Sequence, residues 1–174
     1  MPTHDKATSE RGSSHGKVEM TIFDVLKQDH EKARYLFDRI EKSGRKDTAS
    51  LQKLFSQVEE ELGIHMEGEE RFFYTALEKH NEARQQVLES YEEHQVARTL
   101  IGTFNSLAVD DERWGAKLSV LHEVVEHHMQ EEEREVFKMA RKVLDKGEIQ
   151  EIGLQFQQHK REGRKPSRGA PVEG

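Results

Sequence analysis

Apolar residues recur at three- and four-residue spacing along four long stretches, and each stretch carries a polar residue where the stripe calls for an apolar one. The first stripe reads Ile22, Leu26, His30, Ala33, Phe37, Ile40. Thr21 precedes it with Asp24 three residues on, the signature of an N-terminal capping box, and Gly44 is the expected stop. After a cap at Asp47 or Thr48, a second stripe runs Leu51, Phe55, Val58, Leu62, His65, Glu69, Phe72, Ala76. Asn81 is a joint, and the third stripe follows as Val87, Tyr91, His94, Ala97, Ile101, Phe104, Ala108. The fourth, capped by Asp110 or Asp111, reads Trp114, Leu118, Leu121, Val125, His128, Glu132, Val136, Met139, Val143 and stops near Lys146-Gly147. Beyond it, Ile149, Ile152 and Phe156 predict a short helix over one end.

Stripes of this kind predict an all-α protein, an antiparallel up-down-up-down four-helix bundle over residues 20–146. A short C-terminal helix is expected over 147–159, with disordered tails at 1–19 and 160–174. Composition agrees: 35% charged and 33% hydrophobic residues with only three prolines suit long helices with solvated outer faces. The tail cations Lys160, Arg161, Arg164, Lys165 and Arg168 read as solvated, and a net charge of −7 argues against nucleic acid as a partner. No apolar run suits a signal peptide or a bilayer span, so the expected location is cytoplasmic, without a membrane partner. The absence of cysteine excludes disulfides, thiolate-held metals and thiol catalysis, so any metal must use nitrogen and oxygen ligands.

The polar interruptions repeat. His30 and His94 lie 64 residues apart, while His65 to His128 and Glu69 to Glu132 are 63 each. The segment His30-Glu31-Lys32-Ala33-Arg34 aligns with His94-Gln95-Val96-Ala97-Arg98, and His65-Met66 with His128-Met129. A helix turns about 100° per residue, so His65 and Glu69 face the same way, as do His128 and Glu132. Two hairpins related by a pseudo-two-fold axis would bring all six residues together in mid-bundle. Unpartnered, six buried imidazoles and carboxylates would each cost several kcal/mol, which metal ions offset. Imidazole and carboxylate suit iron, manganese or zinc. The natural partition gives one ion His30 and His65, the other His94 and His128, with Glu69 and Glu132 bridging. Off the stripes, His127 should be exposed or support a ligand, His122 and His80 are peripheral, and His4, His15 and His159 belong in or near tails. Tyr91, three residues before His94, is placed for packing, with an extra ligand or proton donor as the other reading. Gly68, inside a helix at a cost of about 1 kcal/mol, has two readings: space left beside Glu69, or tolerated drift.

The ordered set His, His-x-x-x-Glu, His, His-x-x-x-Glu over about residues 20 to 146 resembles the hemerythrin-like (HHE cation-binding) domain. It is closer to the four-histidine, two-glutamate bacterial branch than to the oxygen carriers. Where the carriers place a second histidine four after the first in helix three, this chain has Arg98, and Glu132 follows His128 by four rather than an aspartate by five. The resemblance implies two non-haem iron ions bridged by oxo or hydroxo, and a protein that binds or reacts with dioxygen, peroxide or nitric oxide. If both ions keep an open position, peroxide turnover should outcompete reversible oxygenation. The alternative is a non-catalytic iron or oxygen storage or sensing module acting through a protein partner that the pattern does not name. An iron–sulfur repair protein would bring a cysteine-bearing region, and a ferritin-like site would use Glu-x-x-His; neither is present.

Overall fold

The computed structural model describes residues 20–43 and 47–164; the expectations for residues 1–19, Gly44 and the end of the basic tail lie outside them. Helix α1 (Ile22–Lys42) opens on the predicted capping box, Thr21 and Asp24 each accepting from the other's backbone N–H. Helix α2 starts at Thr48 behind the Asp47 cap, runs α-helically to Gly68, continues as a π-helical segment Glu69–Tyr74 and closes on one α-turn, Thr75–Leu77. Helix α3 (Asn81–Thr103) leads through a 3-10 turn, Phe104–Ser106, so it ends before Ala108. Helix α4 repeats the form of α2: Glu112–Glu131 behind the Asp111 cap, a π-helical segment Glu132–Val136, then Phe137–Val143. These four form the antiparallel bundle, and α5 (Lys146–Gly163) lies across α1 and α2.

Both π segments begin on a stripe glutamate, and they change which residues face inward. A π turn bonds i to i+5 and so inserts a residue into the α-helical count. Past Glu69 the buried side chains are Phe73, Tyr74 and Leu77, not the expected Phe72 and Ala76. Past Glu132 they are Val136, Phe137, Ala140 and Leu144, displacing Met139 and Val143 to half-buried positions. The bundle thereby has two apolar clusters. One gathers Phe37, Phe55, Leu62, Leu121 and Trp114; the other gathers Leu26, Phe73, Leu77, Phe137 and Phe156. The polar layer lies between them.

The last helix differs from its prediction. Lys146-Gly147 does not end α4 but forms the first turn of α5, which Asp145 and Glu148 start with a second capping box. Its far end is not a solvated tail: Lys160 binds Asp29, Arg164 binds Glu61, and His159 is buried and donates from Nε2 to the Ile64 carbonyl at 3.2 Å. Two glycines admit the helix. A Cβ on Gly68 would stand 2.7 Å from the Phe156 ring, so the space beside Glu69 is taken by α5, and one on Gly153 would stand 2.8 Å from the Ile22 backbone nitrogen.

Candidate metal centre

The stripe positions of four helices bring all six sequence-predicted residues into one buried layer. His30, His65, His94, His128, Glu69 and Glu132 are each at most 7% exposed. One potential ligating atom from each of His30, His65, Glu69 and Glu132 lies within 4.8 Å of the others, and the same holds for Glu69, His94 and His128. His30 Nε2 is 3.2 Å from Glu132 Oε2, His65 Nε2 is 3.1 Å from Glu69 Oε1, and His94 Nε2 is 3.2 Å from Glu69 Oε2 and 3.1 Å from His128 Nε2.

A second set of carboxylates fixes which nitrogen of each ring points inward. His30 Nδ1 lies 2.8 Å from Glu133, His94 Nδ1 2.8 Å from Glu70, His128 Nδ1 2.7 Å from Glu93 and His65 Nδ1 3.4 Å from Asp29. A carboxylate only accepts, so Nδ1 of each ring carries a proton, and a ring in its neutral form turns its Nε2 lone pair to the centre. Arg34 supports Glu133 at 3.1 Å and Arg98 supports Glu70 at 2.8 Å. This outer layer obeys the same two offsets as the inner one: Asp29 with Glu93, Arg34 with Arg98, Glu70 with Glu133. The repeat contained the signal, since each of these residues adjoins a stripe residue or follows it by four.

Lone pairs that face carboxylate oxygens at about 3 Å repel unless a cation or proton lies between them. His30 Nε2, His65 Nε2, Glu69 Oε1 and Glu132 Oε2 are buried without a hydrogen-bond partner. The site therefore calls for positive charge. Burial alone would lower the His65 imidazolium, but Glu69 and Asp29 outweigh it and push its pKa to about 10. His30 and His94 are raised for the same reason against the same burial, by Glu132 with Glu133 and by Glu69 with Glu70. A set of nitrogen and oxygen donors with four orphaned atoms fits hard or borderline cations.

The hemerythrin HHE cation-binding domain model matches residues 21–140. This chain belongs to that family. A DNA nickase of Nostoc sp. is 26% identical over 141 residues, covering 80% of this chain but 39% of that protein. An uncharacterized hemerythrin-like protein of Schizosaccharomyces pombe is 26% identical over 142 residues, covering 80% and 69%. Thus the chain spans well under half of the nickase. A crystal structure of a hemerythrin HHE cation-binding-domain protein from Mycobacterium kansasii shares the fold, with a TM-score of 0.74, 20% identity, and coverage of 83% of this chain and 88% of that one.

Within this hemerythrin domain the π segment of α2 adds a residue that the α-helical count hides. Tyr74 lies five after Glu69, about 140° away at α-helical spacing, and the π turn rotates it to the inner face. Its Oη stands 3.3 Å from Glu132 Oε1 and 3.5 Å from both Glu69 Oε2 and His94 Nε2. Burial, then the Glu132 and Glu69 charges, hold the phenol well above its usual pKa, so it keeps its proton and donates. Tyr91 has the packing role: it sets its ring edge-to-face on Tyr74 at 5.4 Å. Phe137 takes the place of Tyr74 in the other half and stacks on His30 at 6.4 Å. Of the remaining histidines, His127 has a 66% exposed side chain, and His122 stacks on Phe37 and meets Glu41 at 2.8 Å.

Proposed function

We propose that this domain is a non-haem di-iron protein that binds or reacts with small oxygen species: dioxygen, peroxide or nitric oxide. His30 and His65 would hold one ion, His94 and His128 the other, with Glu69 and Glu132 bridging. The observation that carries the reading is the set of four inward Nε2 lone pairs around two carboxylates, four of whose buried atoms have no partner. When bound, two iron ions supply redox chemistry in steps of one or two electrons. The chain's own residues supply the rest. Asp29, Glu70, Glu93 and Glu133 hold each imidazole in the ligating tautomer.

To the expectation that both ions stand open, Tyr74 adds a protonated phenol beside Glu132 and His94, a proton donor rather than an anionic ligand. From there it can hold or deliver a proton at Oη, and Phe137 has no equivalent proton to give. On the other side, a void of about 20 Å³ touches His94, His128, Leu62, Met66, Ala97 and Met129. That volume takes about one water-sized or diatomic molecule, and although His65, Glu93, His94 and His128 border it, the surface it exposes is almost wholly apolar, which favours dioxygen or nitric oxide over an ion.

The test is to load apo protein with ferrous iron anaerobically, measure metal per chain, and then expose it to oxygen and to peroxide while following the spectrum and evolved gas. Two ions per chain and disproportionation of two peroxide molecules to one oxygen and two water above a free-iron control are expected. One ion per chain, or a His65→Ala protein that keeps two, would overturn the ligand set. A long-lived adduct released under vacuum, with no peroxide consumed, would leave the carrier reading in its place.

A further inference from the structure

The two halves of the bundle match in the inner and outer layers of the centre but not at their surface. Helix α5 covers one half. There Ile22, Val25 and Leu26 pack with Ile152 and Phe156, while Gly68 and Phe72 meet Phe156 and His159. Applying the same offsets to the other half, Ile22, Val25 and Leu26 become Gln86, Glu89 and Ser90, and Gly68 and Phe72 become Glu131 and Glu135. Ile64, whose carbonyl accepts from His159, becomes the exposed His127. No described helix covers this second surface. It holds a cleft of about 80 Å³ between α3 and α4, with Glu89, Glu93, Glu131 and Glu135 on its walls and Glu132 on its floor.

Two observations join the cleft to the centre. Glu132, 1% exposed and with its Oε2 unpartnered, belongs both to the cleft and to the buried layer. Glu93 accepts from His128 Nδ1 through one oxygen, while its other lies 4.0 Å from His127 Nε2. At the mouth, potential ligating atoms of Glu93, His127 and Glu131 stand within 4.8 Å of one another. Arg134 pairs with Glu135 at 3.0 Å and Glu131 at 3.6 Å, so one guanidinium offsets part of the charge of two of the four wall carboxylates and the walls stay negative. A narrow acidic cleft with protein walls focuses its field and concentrates cations.

We propose that this uncovered acidic cleft is the route by which divalent cations reach the paired site, with Glu93, His127 and Glu131 forming a transit site at its mouth. The inference rests on the two-ion reading above. Duplication supplies two equivalent ways in; α5 closes the apolar one, and acidic residues mark the one left open. The route accounts for side chains at matching positions that are apolar or small under α5 and polar opposite, three of them the carboxylates Glu89, Glu131 and Glu135.

Apo protein is mixed with Co²⁺ in a stopped-flow instrument at about 10 mM ionic strength, and uptake is followed by visible absorbance. The Glu89→Gln/Glu135→Gln protein, which alters neither the six central residues nor the carboxylates on their Nδ1 atoms, is compared with Glu112→Gln/Glu151→Gln, which removes equal charge far from the cleft. The cleft variant should reach two ions per chain and keep the apo unfolding midpoint, but load about five- to tenfold more slowly, the deficit shrinking several-fold at about 0.5 M salt. The control should load at the original rate. Equal loading by the cleft variant, or equal slowing in the control, overturns the route while leaving the two-ion site standing. A chain that takes up no cobalt overturns both.

Discussion

Removing cations from the centre should destabilise the domain in a manner that depends on pH, with opposite sense in the apo and loaded forms. Four buried atoms of the centre lack hydrogen-bond partners, and each such atom costs about 1–3 kcal/mol, so the apo site carries about 4–12 kcal/mol of unmet demand. That compares with about 5–15 kcal/mol for the whole stability of a domain. Protons can meet part of it. His65 titrates near 10 in the folded chain against 6.5 as a free side chain, because Glu69 and Asp29 outweigh its burial. A raised pKa contributes stability that is fully present below about 6.5 and is lost as pH rises through about 10. Across that window one proton is released on unfolding, so each pH unit removes up to about 1.4 kcal/mol, or about 2–3 kcal/mol from pH 7 to 9. For a chain of this size that lowers the apo melting temperature by about 5–10 °C. His30 and His94 are raised too and act in the same direction. The loaded protein should hold or gain stability over the same range, because binding requires free Nε2 lone pairs and rising pH supplies them. Differential scanning calorimetry of both forms at pH 7, 8 and 9 makes the comparison. Parallel curves would refute the reasoning, since they would mean that proton and metal do not compete for the same atoms.

Tyr74→Phe removes a proton held 3.3 Å from Glu132; it should keep two ions per chain yet lower peroxide turnover by about 100-fold, measured as oxygen evolution per metal. Asp29→Ala frees His65 Nδ1 and leaves Lys160 without its carboxylate, so metal affinity measured by competition with a chelator should fall about 10- to 100-fold. Gly153→Ala brings a Cβ against the backbone of Met20, Thr21 and Ile22, which cannot yield as a side-chain tip can. Overpacking of about 1–3 kcal/mol should outweigh a helix-propensity gain of about 1 kcal/mol, and thermal melts should show a lower midpoint.

Much of this architecture was legible because a helix writes its buried face at a fixed period. The stripes located α1 to α4, the constant offsets located the six central residues, and the Thr21–Asp24 box fixed the first helix start. What escaped was anything that departs from the α-helical count or depends on a later element. Tyr91 sits three before His94 and looks inward on an α-helical wheel, whereas Tyr74 looks sideways until the π segment rotates it in. Lys160 and Arg164 read as tail charges because their partners, Asp29 and Glu61, are about a hundred residues or more away. Likewise Gly68 signalled space without saying what fills it.

The π segments also bear on why the centre can be built at all. A strict α-helix places residues three, four and seven along on one face, so the inward positions after Glu69 would be Phe72 and Ala76, and those after Glu132 would include Met139 and Val143. Starting the i to i+5 turn on Glu69 and on Glu132 leaves each glutamate in register with the histidine four before it, then advances the stripe by one residue. Beyond that point Phe73, Tyr74, Val136 and Phe137 pack as the floor of the polar layer, directly under the carboxylates. The shift occurs in both halves, which marks it as part of the duplicated unit; the residue it delivers does not, being Tyr74 in one half and Phe137 in the other. The same divergence separates Gly68 from Glu131 and Ile64 from His127. The residues that would hold ions thus match between the halves, while Tyr74 against Phe137, Gly68 against Glu131 and Ile64 against His127 do not, and it is through such unmatched positions that a duplicated site can treat its two sides differently.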